Sequence, residues 1–443
     1  MLNTAAKVLK WVAVVIGALI FLYLILLVPR YEKYRKSDVS YTLDLPPLTA
    51  YAQPNSYTIG DSLRLFLHST EPYSGSVYRL GNSGFDEVQV FSGQANLQSG
   101  HYDIKYGHDW SLTHSIPTHK WRAGLYLINL RLKGDEMTRF SIPIMLRKPK
   151  VSGVMVVLPT NTWQAYNQYG GKSNYQDAVT PRDLRALFDL LEKSSPGLVP
   201  YNYLPATRPI DHPFSHASID HKIFELNGKV SSDFHLIDYL EDLGLDYDVI
   251  SDAAFSTLGN EENLDLVIFD NHSEYWSYGA IGRLKNLLEN GTSAVFLSGN
   301  NMYRGVETTD HGSLIVTEQQ LPRSVLEPLL GTFYTESGYQ TYGSFRVTAA
   351  ESWVFDSTGV ENGDTFGQGI ISGLETDKLG PYSEGFTLLA IGTNSSGPAH
   401  MVIKEFSEGN YLFNSSSISS VRAIPKDTVW RQVILNLINK ATK

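Results

Sequence analysis

From Val151 onward, short apolar runs alternate with helical patterns, and no other feature of the sequence constrains the fold as strongly. The run from Val154 to Leu158 is apolar throughout, which is typical of a central parallel strand buried on both faces. Further elements follow in the order helix, strand, strand, helix, strand, at 234–243, 247–250, 264–269, 281–289 and 293–298. This order predicts an α/β fold with a doubly wound parallel sheet, because a helical crossover joins successive parallel strands.

A different pattern fills the region before this alternation. Between Tyr57 and Arg147, apolar residues occur in short alternating runs separated by glycine and polar turn residues, which predicts a β-sandwich. The 443 residues are too many for one ordinary core, so we expect two domains. The predicted parts are an N-terminal segment (1–36), a linker (37–56), the sandwich (57–148) and the α/β domain (149–443). Within the last part, 330–420 returns to β-like runs, and 428–439 has a helical pattern.

Residues 11–28 carry no charge and are mostly apolar. A helix needs about 20 such residues to cross a bilayer, and about 17 suffice. No small-residue cleavage pattern follows, so we expect an uncleaved single-pass membrane anchor rather than a cleaved signal peptide. Basic residues flank both ends, and those after the stretch would keep the remainder in the cytoplasm. Long domains often translocate behind such an anchor regardless, and we expect an extracytoplasmic location.

Composition and missing motifs exclude several classes of function. A net charge of −10 leaves no basic stripe for nucleic acid, and the lack of cysteine removes disulfides, cysteine–zinc sites and thiol nucleophiles. The tetrapeptide at 170–173 resembles the end of a phosphate-binding loop, but the first glycine of such a loop is replaced by Tyr166. Neither the Gly-x-Ser-x-Gly pattern of serine hydrolases nor the His-Glu-x-x-His pattern of zinc proteases occurs.

Two polar loops each follow a predicted strand, at 159–175 and 271–276. The first holds three tyrosines, Tyr166, Tyr169 and Tyr175, and the second holds a histidine and a glutamate. Open α/β sheets place their sites at the carboxyl ends of their strands, so these loops are the predicted site.

The residues of these loops also carry a family resemblance. Thr162-Trp-Gln-Ala-Tyr166, Gly170-Gly-x-Ser-x-Tyr175 and His272-x-Glu-Tyr-Trp276 resemble motifs of the large subunit of N,N-dimethylformamidase and its relatives. Further matching motifs lie at 208–209, 238–249, 297–303 and 373–377, so the resemblance covers about residues 50–435. It implies an immunoglobulin-like sandwich, followed by a flavodoxin-like sheet similar to that of glutamine amidotransferases. Those amidotransferases use a cysteine nucleophile that this chain lacks, which makes a metal the expected activator.

The resemblance implies a mononuclear ferric iron, Fe(3+), held by Tyr166, Tyr175 and Glu274. Tyr169 is the alternative second tyrosine, because the loop is shorter here than in the enzyme. Phenolate and carboxylate are hard oxygen donors that suit a hard, highly charged ion. A tyrosine, with an ordinary pKa of about 10, ionises beside such a cation. The alternative interpretation is that these tyrosines are core or surface residues and that Glu274 is a surface carboxylate.

Three further residues are candidates for catalysis. His272 lies two positions before Glu274, on the same side of an extended backbone, and is interpreted as a general acid or base or as a structural hydrogen-bond partner. Asn300 and Asn301 follow the next strand and are expected to donate hydrogen bonds to an oxyanion. Arg208 is interpreted as a loop clamp rather than a carboxylate binder.

These residues predict a metal-dependent hydrolase that cleaves a linear C–N amide bond in a small-molecule substrate. Two alternatives stay open: a hydrolase with the same metal that cleaves another bond, and a degenerate relative that binds a glycan or small ligand at the cell surface. A homo-oligomer is compatible with the sequence.

Overall fold

The structure of the protein is a computed structural model. It describes residues 10–19, 21, 22, 25, 40–81, 84–171, 173–175, 203–210, 234–259, 263–309, 312–318 and 320–443. Residues 10–19 are helical. Among the described residues, however, no helix is long and apolar enough to cross a membrane. This finding overturns the predicted single-pass anchor at 11–28, and with it the predicted membrane location; residues 20, 23, 24 and 26–28 of that stretch lie outside the described part.

The N-terminal region consists of strands. They are β1 (Ser40–Thr42), β2 (Leu48–Ala52), β3 (Ser56–Thr58), β4 (Ser62–Ser69), β5 (Tyr73–Gly81), β6 (Gly84–Gly93), β7 (His101–Asp103), β8 (His114–Pro117), β9 (Gly124–Leu132) and β10 (Asp135–Arg147). A five-stranded sheet has the order β3-β10-β9-β5-β6, and a three-stranded sheet has the order β2-β4-β8. Both sheets contribute to one apolar cluster. Strand β2 falls in the stretch expected to be a linker, yet it is fully buried and pairs with β4. We call β1–β10 and their connecting loops the N-terminal module.

The remainder of the chain is built around a nine-stranded sheet. Its strands and those of the smaller sheets are β11 (Ser152–Leu158), β12 (Tyr203–Leu204), β13 (Tyr247–Ser251), β14 (Asn263–Asn271), β15 (Tyr275–Trp276), β16 (Ser293–Ser298), β17 (Arg304–Thr308), β18 (Leu314–Glu318), β19 (Thr332–Tyr334), β20 (Tyr342–Gly343), β21 (Phe345–Val347), β22 (Thr365–Phe366), β23 (Ser372–Gly373), β24 (Asp377–Leu379), β25 (Thr387–Gly392), β26 (His400–Glu405) and β27 (Tyr411–Asn414). The nine strands have the order β13-β11-β14-β16-β27-β26-β25-β21-β22.

The α-helices in the described part of this region lie between or after the strands. They are α1 (Thr160–Tyr166), α2 (His235–Asp242), α3 (Asp252–Phe255), α4 (Tyr278–Glu289), α5 (Arg323–Leu330), α6 (Ser420–Ala423) and α7 (Thr428–Ala441). Several predicted elements are confirmed within a few residues, including the strand at 293–298 and the helices at 234–243 and 281–289.

The predicted doubly wound, flavodoxin-like and glutamine-amidotransferase-like sheet is wrong. The first five strands in the order, β13 to β27, do pair in parallel. From β27 onward, however, the pairs β27–β26, β26–β25, β25–β21 and β21–β22 are antiparallel. The β-like runs of 330–420 therefore extend the same sheet as hairpins, and the result is a β-rich fold with large mixed sheets.

The parallel strands are buried on both faces, as their composition predicts. Along β11, Val154 and Val156 belong to one apolar cluster, whereas Met155 and Val157 belong to another. Strands β14 and β16 divide their residues between the same two clusters. Since β11 and β14 are direct neighbours, the loops that follow them leave the sheet side by side.

Candidate functional site

The two polar loops meet at the carboxyl ends of β11 and β14. The chain leaves β11 through Pro159 and enters α1, which ends at Tyr166. It leaves β14 at Asn271, whose left-handed φ of 57° turns the backbone toward α1. The Glu274 amide then donates to the Thr162 hydroxyl of α1, over 3.3 Å, so the second loop is fixed directly to the first.

Two tyrosines and one glutamate converge here. The Tyr166 hydroxyl donates to Glu274 Oε2 over 3.1 Å. The Tyr175 hydroxyl lies 3.0 Å from Oε1 and 3.1 Å from Oε2 of the same carboxylate. The two tyrosine rings have their centroids 4.3 Å apart. The structure thus brings together the three residues named from the family motifs, from loops that are about a hundred residues apart in the sequence.

Glu274 is buried, and several groups fix its position. Its side chain is 2% exposed, and its Oε1 accepts a hydrogen bond from Arg304 Nε over 3.0 Å. The parallel pair β15–β17 sets Tyr275 beside Arg304, which brings the guanidinium to the carboxylate. The guanidinium also lies near two tyrosine rings, 5.7 Å from the centroid of Tyr175 and 5.4 Å from that of Tyr303. Oε1 of Glu274 therefore faces Arg304 and Tyr175, whereas Oε2 faces both phenols.

His272 lies between two carboxylates. Its Nε2 is 3.3 Å from Glu274 Oε2 and 3.2 Å from Glu375 Oε2, and its side chain is fully buried. Burial opposes a charge on the imidazole, but hydrogen bonding and attraction to Glu375, together with the charge of Glu274, outweigh that effect and raise the His272 pKa. This histidine is therefore arranged to hold a proton between two acidic side chains.

The carboxylates that favour the charged form of His272 disfavour the charged form of the phenols. Burial raises the pKa of Tyr166 well above its ordinary value, and the nearby Glu274 carboxylate raises it further. The same two causes raise the pKa of Tyr175. Without a cation both phenols stay protonated and donate to Glu274, and a phenolate here requires a positive charge in contact with it. Tyr175 as a whole residue is 43% exposed, so the site approaches the surface at this residue.

Asn300 and Asn301 direct their amide groups at acidic partners. Asn300 Nδ2 donates to Glu375 Oε2 over 2.9 Å, and Asn301 Nδ2 donates to Asp377 Oδ2 over 2.9 Å. The Asn300 backbone amide also donates to Asp377. Burial raises the pKa of Asp377 to about 7. The described contacts give the two asparagines a role in holding Glu375 and Asp377, while their predicted role as oxyanion donors stays a prediction.

Tyr169, the alternative second tyrosine, points elsewhere. Its hydroxyl lies 2.9 Å from His108 Nε2 in the N-terminal module. Its carbonyl accepts from Arg208 Nη1 over 3.0 Å, and Arg208 Nη2 donates to the carbonyl of Gln164 over 2.9 Å. The interpretation of Arg208 as a loop clamp is therefore confirmed, and Tyr175 is the second tyrosine at the carboxylate.

Sequence reasoning missed Arg304 and assigned no role to Glu375 and Asp377. The signal for the last two was their family motif at 373–377. A structural signal accompanies them, because Asn300, Met302 and Leu374 all have left-handed φ values between 51° and 66°. Such conformations are costly for residues other than glycine, and they cluster at functional sites. No sequence pattern predicted the role of Arg304, because its contact with Glu274 depends on the pairing of β15 with β17.

Among the described residues, no three or more histidine, aspartate or glutamate side chains are grouped so that they could hold a metal ion. The group formed by Tyr166, Tyr175 and Glu274 differs from such clusters, because two of its three side chains are phenols. A cavity of about 310 Å³ is lined by the opposite side of α1, through Thr160, Asn161 and Gln164, and by β2 and β10 of the N-terminal module. Neither the two site tyrosines nor Glu274 line it.

Comparisons with known proteins agree with the motifs. A family model described as "N,N-dimethylformamidase beta subunit-like, C-terminal" matches residues 74–429, which is well over half of the chain. No curated protein matches the chain.

Solved structures give only distant similarity. One is a cycloisomaltooligosaccharide glucanotransferase of Paenibacillus sp., at 9% identity over 80% of this chain and 69% of that chain, with a TM-score of 0.17. Another is a family 39 glycoside hydrolase of Bacteroides cellulosilyticus, at 13% identity over 56% of this chain and 51% of that chain, with a TM-score of 0.16. Scores this low support no statement about fold or function.

Proposed function

The chain belongs to the N,N-dimethylformamidase beta subunit-like family, and from this membership and the site geometry we propose that it is a metal-dependent hydrolase of a linear C–N amide bond. The observation that carries the proposal is the convergence of the Tyr166 and Tyr175 hydroxyls on one buried carboxylate, Glu274. Its substrate class is a small-molecule amide.

The three side chains fit a hard cation such as ferric iron. All three donors are oxygens, and each is an anion once bound to a cation. The two phenol oxygens lie 3.0–3.1 Å from the carboxylate oxygens of Glu274. Oxygens this close to one carboxylate would reach a cation that the carboxylate binds. When bound, such an ion acts as a Lewis acid that polarises a carbonyl group and acidifies water.

The surrounding residues are arranged to move protons. Hydrolysis of an amide consumes one water, which gives a hydroxyl to the acyl carbon and a proton to the departing nitrogen. Glu375 holds a carboxylate oxygen 3.2 Å from His272 Nε2, and Asn300 fixes that carboxylate through a 2.9 Å hydrogen bond. In the proposed reaction Glu375 accepts the proton of the water, His272 delivers a proton to the amine that leaves, and the proton on Glu375 then passes to His272 over the 3.2 Å between them, which restores both groups. Both side chains are at least 94% buried, which keeps bulk water from competing.

The test is to load the full-length chain with ferric iron, to quantify bound metal, and to assay an amide panel by release of amine or ammonia. We expect about one iron per chain, a phenolate-to-iron charge-transfer colour that Tyr166→Phe weakens and shifts, and amine release from simple amides. A colourless protein with no stoichiometric metal would overturn the proposal. Iron binding without amide cleavage would instead support a hydrolase of another bond.

A further inference from the structure

A loop of the N-terminal module reaches the segment that carries Tyr175. The loop follows β7 and contains His108, whose Nε2 lies 2.9 Å from the Tyr169 hydroxyl. Both side chains are buried, at 4% and 6% exposure. The sequence separates them by 61 residues, so this hydrogen bond joins two distant regions of the fold.

The contacts of His108 fix the direction of this hydrogen bond. Its Nδ1 lies 2.7 Å from the carbonyl oxygen of His101, which can only accept, so Nδ1 carries the hydrogen. In the neutral imidazole Nε2 is then an acceptor, and the Tyr169 hydroxyl donates to it. Burial lowers the pKa of His108 to about 4, which keeps the ring neutral near neutral pH.

Aromatic rings enclose the pair. Trp110 stacks on His108 with centroids 4.5 Å apart, and Tyr102 packs edge-on against both His108 and Tyr169, at 5.0 Å and 5.9 Å. Gly170 has a left-handed φ of 77°, and a Cβ there would lie 2.6 Å from the Tyr102 ring. The Tyr41 hydroxyl, from β1, donates to the carbonyl of Gly170. Tyr169 and Gly170 are therefore both held in place by contacts with the N-terminal module.

The far end of the same segment is tied to the candidate metal site. The Asn174 amide donates to the carbonyl of Ala165 in α1 over 2.8 Å, and Asn174 Nδ2 donates to the Tyr275 hydroxyl over 2.7 Å. The Tyr275 hydroxyl in turn donates to that of Tyr175 over 2.8 Å. Tyr175 is thus five residues from Gly170, the nearest point held by the N-terminal module, and Lys172 between them lies outside the described residues.

We propose that His108 and Tyr169 are positioning residues through which the N-terminal module sets the place of the Tyr175 phenol at Glu274. The inference rests on the proposed function for its metal but concerns residues that do not touch the metal donors. It makes the N-terminal module part of the site rather than an independently packed unit. Removal of the Tyr169 hydroxyl therefore loosens one end of the segment, which Arg208 and Tyr41 still hold through the Tyr169 and Gly170 carbonyls, and weakens the proposed hold on the metal.

The chain contains a matched control for this hydroxyl. Tyr73, within the N-terminal module, is 2% exposed, and its hydroxyl lies 2.6 Å from His114 Nε2. Tyr73→Phe and Tyr169→Phe therefore each delete the hydroxyl of a buried tyrosine that is hydrogen-bonded to a histidine. Only the second of these bonds joins the N-terminal module to the segment at 169–175.

Two measurements on the full chain test the proposal. The first is titration with ferric citrate, followed by charge-transfer absorbance. The second is amide hydrogen exchange of the metal-free protein over 169–175. We expect Tyr169→Phe to weaken ferric binding by about 10–100-fold, the usual loss for a residue that acts behind the ligands. We expect its exchange at Asn174 to be faster by on the order of tenfold, because a buried hydrogen bond no longer restrains the segment.

Tyr73→Phe is expected to leave both readouts at the wild-type value, whatever it does to the melting temperature. His108→Gln should stay closer to wild type than His108→Ala, because a glutamine can still accept from Tyr169. Equal effects of Tyr73→Phe and Tyr169→Phe, or unchanged binding and exchange in Tyr169→Phe, would overturn the positioning role. If the wild-type chain takes up no ferric iron, the proposed function fails, and the exchange measurement still decides the positioning role.

Discussion

Two buried histidines, His272 and His108, occupy regions of opposite character. The ring of His272 lies between the carboxylates of Glu274 and Glu375, and these anions raise its pKa. The ring of His108 lies between Trp110 and two tyrosines, and burial lowers its pKa to about 4. Burial alone favours the neutral ring in both places, so the acidic neighbours decide the difference. The surroundings of His272 stabilise a positive charge, whereas the surroundings of His108 pack around a neutral ring.

The largest effect is expected where the acidic region is proposed to hold its metal. Glu274→Gln keeps the size of the side chain but removes the anionic donor and its pair with Arg304. Mutation of a residue that only supports a metal ligand already lowers metal affinity by about 10–100-fold. Because Glu274 is itself a proposed ligand, we expect its loss to lower ferric affinity by more than about a hundredfold. Metal analysis and ferric titration measure it. Glu361→Gln, at an exposed position, should bind as wild type does, and retained iron in Glu274→Gln would contradict the assignment.

The next effect separates proton handling from metal holding within the acidic region. Glu375→Gln is expected to lower the turnover number by about 10²–10⁴-fold, the usual contribution of a general acid or base. Iron content should stay near one per chain, since Glu375 is not among the three donors. Steady-state rates and metal analysis of the same sample measure the two outcomes. A parallel loss of iron would show that Glu375 helps to hold the ion.

A smaller effect is expected from the cation that pairs with Glu274. Arg304→Lys keeps the charge but removes the planar group that donates from Nε and packs near the Tyr175 and Tyr303 rings. We expect ferric affinity to fall by about 10–100-fold and the charge-transfer band to shift. Arg346→Lys, on an exposed part of β21, serves as the control. An unchanged band and affinity would show that Arg304 supplies charge alone.

The smallest effect concerns the neutral region and its response to acid. Unfolded His108 takes up a proton near its ordinary value of 6.5, whereas the folded protein resists until a pKa of about 4. The unfolded state therefore binds more protons between these values, and stability falls as the pH drops through that window. We expect His108→Gln to remove about 1–3 kcal/mol of this loss.

Urea unfolding of both proteins at about pH 7 and about pH 4.5 measures this difference. Subtracting one protein from the other cancels the contributions of His68 and His114, whose pKa values burial also lowers. An identical acid response in the two proteins would show that His108 is not held neutral in the fold.

The sequence located the three proposed metal donors but not the groups around them. Tyr166, Tyr175 and Glu274 follow apolar strands and match ordered motifs, so local pattern located them. Arg304 reaches Glu274 only because β15 pairs with β17, and no local pattern encodes that register.

The fold was predictable in its elements and not in its assembly. The parallel strands were recognisable because both of their faces are apolar. The later short runs, after residue 330, read equally well as a separate β region. Only the pairing of β27 with β26 shows that they continue the same sheet in the antiparallel sense. The apolar stretch at 11–28 is long enough in sequence to predict a membrane span, but the helix found among its described residues is not long and apolar enough to cross a membrane.

The direct pairing of β11 with β14 has a consequence for how such proteins diversify. Under the proposed function, ion capture depends on the loops after these two neighbouring strands, whereas Glu375, the proposed base, comes from a segment about a hundred residues later. The ion donors and this base are thus inherited from different stretches of the gene, although His272, the proposed acid, shares the loop of Glu274. Descendants of one ancestor can keep the first and redraw the second.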